Sequence, residues 1–247
     1  MWLFDNELYV GHNTASLTRN RTFSSLYIDP LVKILNDQNP TTDFYNGTLH
    51  GVYDVDPSVS LTLLVDVKTD GAETWPWVLA QLEPLRSRGW LTFVEDGMVH
   101  KRLVTIVGTG NTPFDILTQN STYRDAFFDA PLSSLSPSST SSSTDPPSQG
   151  HSGVTASTSF NESNSFYASA PFPKAIGRLW SGRLSEGQLK RIREQVKAAH
   201  DRGLKARYWD TPNWPRGLRN EVWRVLVREG VDVLNVDDLR GVSKLVW

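Results

Sequence analysis

Short apolar runs rich in β-branched residues alternate along this chain with segments whose apolar positions recur every three to four residues. Ser60–Val67 (SLTLLVDV) is a near-continuous apolar run, as expected of a strand covered on both faces. Thr74 can cap a helix that runs to Arg88, with Val78, Leu82 and Leu85 on one face, a kink at Pro84 and Gly89 as its stop. Leu103–Val107 (LVTIV) predicts the next strand. The Gly108-Thr109-Gly110-Asn111 stretch after it lacks the spacing of a dinucleotide or P-loop motif and reads as a turn from strand to helix. Further strands are predicted over Arg124–Phe128 and Phe166–Ala170. Ser185 and Gln188 form a capping-box pair that opens a helix ending near Asp201.

One unit recurs. Arg88-Gly89 leads into WLTFV, Arg202-Gly203 into LKARYW, and Arg228-Glu229-Gly230 into VDVLNV. A helix closed by a glycine and followed at once by an apolar strand is the short joint of a parallel sheet. Strand–helix alternation through the chain gives an α/β fold, with a barrel and a doubly wound sheet both open at this point. Residues 132–165 break the pattern, being dominated by Ser, Thr and Pro. Such a stretch cannot bury enough surface to offset its ordering entropy, so a disordered surface insertion is expected there.

Composition adds mainly exclusions. With 38% hydrophobic and 21% charged residues, the 247-residue chain is ordinary for a globular domain. A net charge of −2 gives no electrostatic reason to expect nucleic acid or an anionic membrane as partner. The absence of cysteine rules out disulfides, zinc-thiolate sites and thiol catalysis. No apolar run reaches the roughly 18 residues of a membrane span, and the first residues lack the basic and apolar regions of a signal peptide. Sequons occur at Asn20, Asn46, Asn120 and Asn161, but no compartment follows from them. Trp75, Trp77, Trp90, Trp214 and Trp223 read as helix and loop packing.

Polar residues cluster where strands end. Asp66 and Lys68 close the first strong strand, Trp209 and Asp210 close LKARYWD, and Asn235, Asp237 and Asp238 close VDVLNVDD. Strand C-termini are where parallel barrels and open α/β sheets both build their sites. Asp66 and Lys68 lie two apart, so both side chains share a face, either as a structural ion pair or as a site. Leu8–His12 reads as a strand that turns His12 inward with Leu8 and Val10. The other histidines, His50, His100, His151 and His200, show no spacing that suggests a metal site.

Three segments together carry a resemblance. LYVGH (8–12), LLVDVKTDG (63–71), and KARYWDTPNWP (205–215) followed by VDVLNVDDL (231–239) resemble the fungal altered inheritance of mitochondria protein 6 family. That family sits among the PLC-like phosphodiesterases, with glycerophosphodiester phosphodiesterases and spider-venom phospholipase D. The resemblance implies a TIM-type (β/α)8 barrel over residues 1–247, truncated at the N-terminus so that the first strand and helix are missing. It also implies metal-dependent cleavage of a phosphodiester small molecule or lipid headgroup, with Mg²⁺ or Ca²⁺ polarising the phosphoryl oxygens and two histidines moving protons. By motif, His12 matches the second histidine, Asp66 a metal-binding carboxylate, Lys68 the cation beside the phosphate and Trp209 an aromatic of the substrate pocket. Asp210, Asn235 and Asp237 match no catalytic position. The family's Glu-x-Asp pair and His-x-His-Asn-Asp segment would fall before Met1, so the expectation is an incomplete metal site and no activity for this chain by itself. A non-catalytic barrel that binds a phosphorylated ligand or a protein is the alternative. The family's name records a phenotype and does not localise the chain.

Overall fold

The computed structural model describes residues 1–44, 47–136, 149–179 and 182–247. The chain divides into two compact units, residues 1–128 with 150–158, and residues 129–149 with 159–247.

The first unit opens on a hairpin, β1 (Trp2–Phe4) antiparallel to β2 (Glu7–Tyr9), with Leu3 opposite Leu8. Asp5 and Asn6 make its turn at φ of 47° and 62°, a conformation that Asp and Asn tolerate better than other side chains. A π-helical turn, Ser24–Ile28, runs into α1 (Asp29–Gln38), which buries Leu31 and Leu35. Then come β3 (Leu61–Val67), α2 (Gly71–Gln81), α3 (Glu83–Arg86), β4 (Phe93–Glu95), β5 (Met98–His100), β6 (Val104–Gly110), α4 (Phe114–Leu117), β7 (Tyr123–Arg124) and β8 (Phe127–Pro131). Leu63, Val65 and Val67 on one face of β3 are buried, as are Trp75 and Val78 of α2. Each such side chain contributes about 1.5–3 kcal/mol by leaving water. Gly108 makes room for this packing, since a Cβ there would lie 2.8 Å from Trp75 Cη2.

The second unit continues with α5 (Leu132–Leu135), β9 (Ser165–Pro171), α6 (Phe172–Ile176), α7 (Glu186–His200), β10 (Lys205–Trp209), α8 (Arg216–Arg228), β11 (Val233–Leu234) and α9 (Leu239–Ser243). The Ser185–Gln188 capping box forms, and α7 buries Leu189, Ile192, Val196 and Ala199. Tyr208 of β10 is fully buried and donates its hydroxyl to Gln195 Oε1 of α7 at 2.7 Å. Burial pushes its phenol well above the usual tyrosine range.

The α/β class holds. Six strands run in the order β3-β6-β8-β9-β10-β11, and the pairings β3–β6, β6–β8, β9–β10 and β10–β11 are all parallel. The glycines of the three recurrent joints, Gly89, Gly203 and Gly230, all have positive φ, as a helix-closing glycine requires.

Several expectations need correction. The helix begins at Gly71, because Asp70 accepts from Glu73 N at 2.9 Å, while Thr74 is buried and bonded to Thr69 Oγ1. Its break falls at Leu82, which places Pro84 in the first turn of α3, where its missing N–H costs nothing. Gly108, Thr109 and Gly110 belong to β6, whose register with β3 holds from Leu61–Val104 to Val67–Gly110. WLTFV touches the parallel sheet only through a Leu91–Val104 bridge before Phe93 enters a separate antiparallel sheet, β5-β4-β7. The Asp96-Gly97 turn between β4 and β5, at φ 49° and 81°, is a hairpin signal that the apolar pattern masked. The strand placed at Arg124–Phe128 splits into β7 and β8. Leu8–His12 does not reach His12 as a strand: β2 stops at Tyr9, and His12 is exposed in a bend. Trp77 and Trp214 are exposed rather than packed.

The expected insertion narrows at both ends. Leu132 and Leu135 are buried in α5, Gln149 Nε2 donates to Asp129 O at 2.9 Å, Phe160 is buried, and β9 starts at Ser165. Residues 137–148 and the Asn46 sequon lie outside the described residues. Among the described residues no helix is long and apolar enough to cross a membrane.

Candidate functional site

Asp66 and Lys68 are brought together at the C-terminal end of β3. Thr62, Leu64 and Asp66 share the half-exposed face of that strand. Lys68 Nζ reaches Asp66 Oδ2 at 2.7 Å, with side chains 41% and 45% exposed. The stretch is held from the side by the start of the hairpin, where Lys68 N donates to Met1 O at 2.8 Å and Leu3 N to Thr69 Oγ1 at 3.0 Å. The other Asp66 oxygen, Oδ1, is shut away from solvent with no hydrogen-bond partner among the described residues. It lies against Gly110, where a Cβ would collide with it and with the Val67 carbonyl. Gly110 has φ +67°, so both backbone and space demand glycine.

His12 is presented on a loop of fixed shape. Trp2 Nε1 donates to Gly11 O at 2.9 Å, and Asn13 and Ser16 close a reciprocal cap one residue further on. A Cβ at Gly11 would meet Ser16 Oγ at 2.5 Å, so a larger residue in the turn that exposes His12 would displace the Ser16 side chain from its cap. Trp209 belongs to the second unit, at the end of β10, and is partly buried. Asp210 follows it at φ 56°.

The residues present do not fit a divalent cation. A hard ion such as Mg²⁺ or Ca²⁺ takes about six or more oxygen ligands. Asp66 has one oxygen committed to Lys68 and the other closed off, and no group of three or more His, Asp or Glu side chains that could hold a metal converges among the described residues.

A second polar cluster lies within the second unit. Arg207 of β10 is 11% exposed. Its Nη2 donates to Asn235 Oδ1 at 2.5 Å and its Nη1 to Ser169 Oγ at 3.3 Å, while Nη1 lies 3.7 Å from Asp129 Oδ2. Asp129 and Ser169 are both buried. The sequence carried the signal for this cluster, a charged residue inside an apolar strand, in the same form that singled out Asp66. In FFDAP it is hidden because the predicted strand lies three residues too early. Asn235, which matched no catalytic position, is the most closely held partner of Arg207.

The family model described as the AIM6-like phosphodiesterase domain matches residues 1–129, a span that takes in residues 1–128 of the first unit. An altered inheritance of mitochondria protein 6 homolog from Arthroderma benhamiae is 38% identical over 98% of this chain and 72% of its own length. Altered inheritance of mitochondria protein 6 from Eremothecium gossypii is 35% identical over 99% of this chain and 61% of its own length. Its namesake from Saccharomyces cerevisiae is 31% identical over the whole chain and 63% of its own length. No solved structure matches the chain significantly. The apolar strand ending in Asp66 and Lys68, the glycines that shape the His12 and Asp66 surroundings and these matches agree: the chain belongs to the AIM6-like phosphodiesterase family.

Proposed function

We propose that this chain carries part of a phosphodiester-cleaving site, set at the open end of what is, in a longer protein, a (β/α)8 barrel. The observation that carries the reading is the Asp66–Lys68 pair at the end of β3, within the residues that match the phosphodiesterase domain. In this reading the Lys68 ammonium steadies the charged phosphoryl oxygens. The exposed His12 imidazole, held on its loop by the Trp2 and Asn13 bonds, moves a proton to or from the reacting oxygen. By family likeness alone, Trp209 is assigned an aromatic face for the substrate, which is a phosphodiester small molecule or a lipid headgroup. Asp66 by itself is too few ligands for Mg²⁺ or Ca²⁺, so the remaining ligands come, in this reading, from sequence that the matched relatives have beyond the length they share with these residues.

The test is turnover of bis(p-nitrophenyl) phosphate with Mg²⁺ or Ca²⁺ added. The 247-residue chain is expected to be inactive, and a form extended to the length of the relatives active, with His12→Ala abolishing that activity. Robust turnover by the 247-residue chain would overturn the account of the metal site. An extended form that binds a phosphorylated ligand yet turns nothing over would replace catalysis with binding.

A further inference from the structure

The net charge of −2 hides an uneven distribution. Over the whole chain Lys and Arg number 25 and Asp and Glu 27, yet residues 174–228 hold fourteen Lys and Arg against five Asp and Glu. All of that stretch belongs to the second unit. There Pro171 of β9 is in register with Trp209 of β10, and Tyr208 of β10 with Leu234 of β11, all in parallel. The three strands therefore end level, and the connections that follow them leave from one end of the sheet. Lys174, Arg178 and Arg183 lie on the connection after β9, Arg216 opens α8, and Arg240 lies in α9 after β11. All five are exposed, and none of their side chains forms a hydrogen bond or salt bridge among the described residues. Arg191, whose Nη1 donates to Ala175 O at 3.4 Å, is held beside α6 as well. Of the carboxylates at that end, Asp238 is taken by Arg219 at 2.8 Å and by the Gly241 N–H, which leaves Glu186, Asp210 and Asp237. Positive charge is in excess.

We infer that this end of the second unit docks on an anionic phospholipid bilayer. Two apolar side chains favour a bilayer over a soluble polyanion. Trp214, on the connection after β10, is 76% exposed, and Leu239, at the start of α9, is 72% exposed. By contrast, Trp75, Trp90 and Trp223 are buried. An exposed indole suits the headgroup level of a membrane, where its apolar ring and its N–H both find a partner. A leucine gains by entering the acyl boundary and has no stacking face to offer a nucleobase. Cations spread over three separate connections match the diffuse negative charge of a lipid surface, which rewards each of them with about a fivefold gain in affinity. Such a contact lies in the interface plane and needs no spanning helix. It concerns the second unit alone and stands whether or not Asp66 and Lys68 take part in catalysis.

The test is cosedimentation of the 247-residue chain with sucrose-loaded vesicles, either phosphatidylcholine alone or phosphatidylcholine with about 30 mol% phosphatidylserine. The mixed vesicles are expected to bind about tenfold tighter or more, with the preference lost in about 0.5 M salt. Arg178→Ala together with Arg183→Ala should weaken binding to the mixed vesicles about twentyfold. Arg202→Ala together with Lys205→Ala removes the same charge from the opposite end of β10 and should bind as the parent does. Trp214→Ser should weaken binding to the mixed vesicles about tenfold. Circular dichroism confirms the fold of each variant. The inference is overturned if the mixed vesicles are not preferred, if the opposite-end pair weakens binding as much as the Arg178 and Arg183 pair, or if Trp214→Ser leaves binding unchanged. Tighter binding of random-sequence single-stranded DNA than of the mixed vesicles, at equal phosphate, would overturn it too and reassign the patch to nucleic acid.

Discussion

The two units each hold an ion pair on their parallel strands, and the shorter of the two is the weaker. Lys68 and Asp66 are 2.7 Å apart, but both side chains are nearly half exposed. At the dielectric of water such a contact has a gross attraction of about 1.5 kcal/mol, and the entropy of holding a lysine in place takes the net to between 0 and about 1 kcal/mol. Arg207 and Asp129 are 3.7 Å apart, yet Arg207 is 11% exposed and Asp129 not at all. At an effective dielectric of about 20 their gross attraction is about 4 kcal/mol, and Ser169 and Asn235 occupy further guanidinium donors. Burial, rather than distance, separates the two. An exposed pair can exchange partners with a charged ligand at little cost, which suits Lys68 to a site. A buried guanidinium bonded to Ser169 and Asn235 beside a buried carboxylate resists removal and braces the strands around it.

That contrast can be broken at four positions. The largest effect is expected from Arg207→Met, which leaves Asp129 buried without its guanidinium and should cost about 3 kcal/mol in urea unfolding. A cost below about 1 kcal/mol would remove Arg207 from the role of brace. Next is Gly110→Ala, where positive φ and the collision with Asp66 Oδ1 and the Val67 carbonyl should together cost about 2 kcal/mol, read as a fall in the thermal midpoint. An unchanged midpoint would show that Asp66 moves freely, and the fixed geometry assigned to it would fail.

Glu229 is an intermediate case, because its carboxylate is 7% exposed while its partners Arg193 and Arg228 are 55% and 62% exposed. The Arg193 hydrogen bond, with help from Arg228, holds it below its usual 4.5. A depressed folded pKa means that its contribution is present above about pH 4.5 and is lost as pH falls through the folded value. Glu229→Gln should therefore destabilise at pH 7, and the gap from the parent should close in acid. A gap that stays constant down to pH 3 would assign the effect to packing. The smallest change is expected for Lys68→Ala, under about 1 kcal/mol and shrinking further in about 0.5 M salt. A larger, salt-insensitive loss would make this pair a structural brace as well.

Much of the scaffold was legible along the chain. The runs at Ser60–Val67 and KARYW became β3 and β10, the Ser185–Gln188 pair capped α7, and the three joint glycines took positive φ as anticipated. The misses share one origin. The hairpins at Asp5-Asn6 and Asp96-Gly97 were written in their turn residues, but the apolar residues beside them fitted a parallel strand equally well, so the period-two pattern hid them. His12 was assigned inward on that same pattern, whereas Gly11 and the Asn13–Ser16 cap turn the chain outward one residue before it. The Ser/Thr/Pro-rich stretch was read too wide because Leu132, Leu135 and Phe160 are isolated apolar residues whose burial depends on partners far along the chain.

The sequence by itself determined the class of fold, the order of its parallel strands' apolar runs, the helix stops and the presence of Asp66 and Lys68 two residues apart at the end of a strand. These follow from caps, turn conformations and side-chain alternation, all of which act within a few residues. Only the tertiary structure decided that Asp66 has one oxygen closed against Gly110, and that Arg207 meets Ser169 and Asn235 across 38 and 28 residues of chain. Burial is set by what distant segments lay over a side chain, and burial fixes whether a charge is a brace or a site.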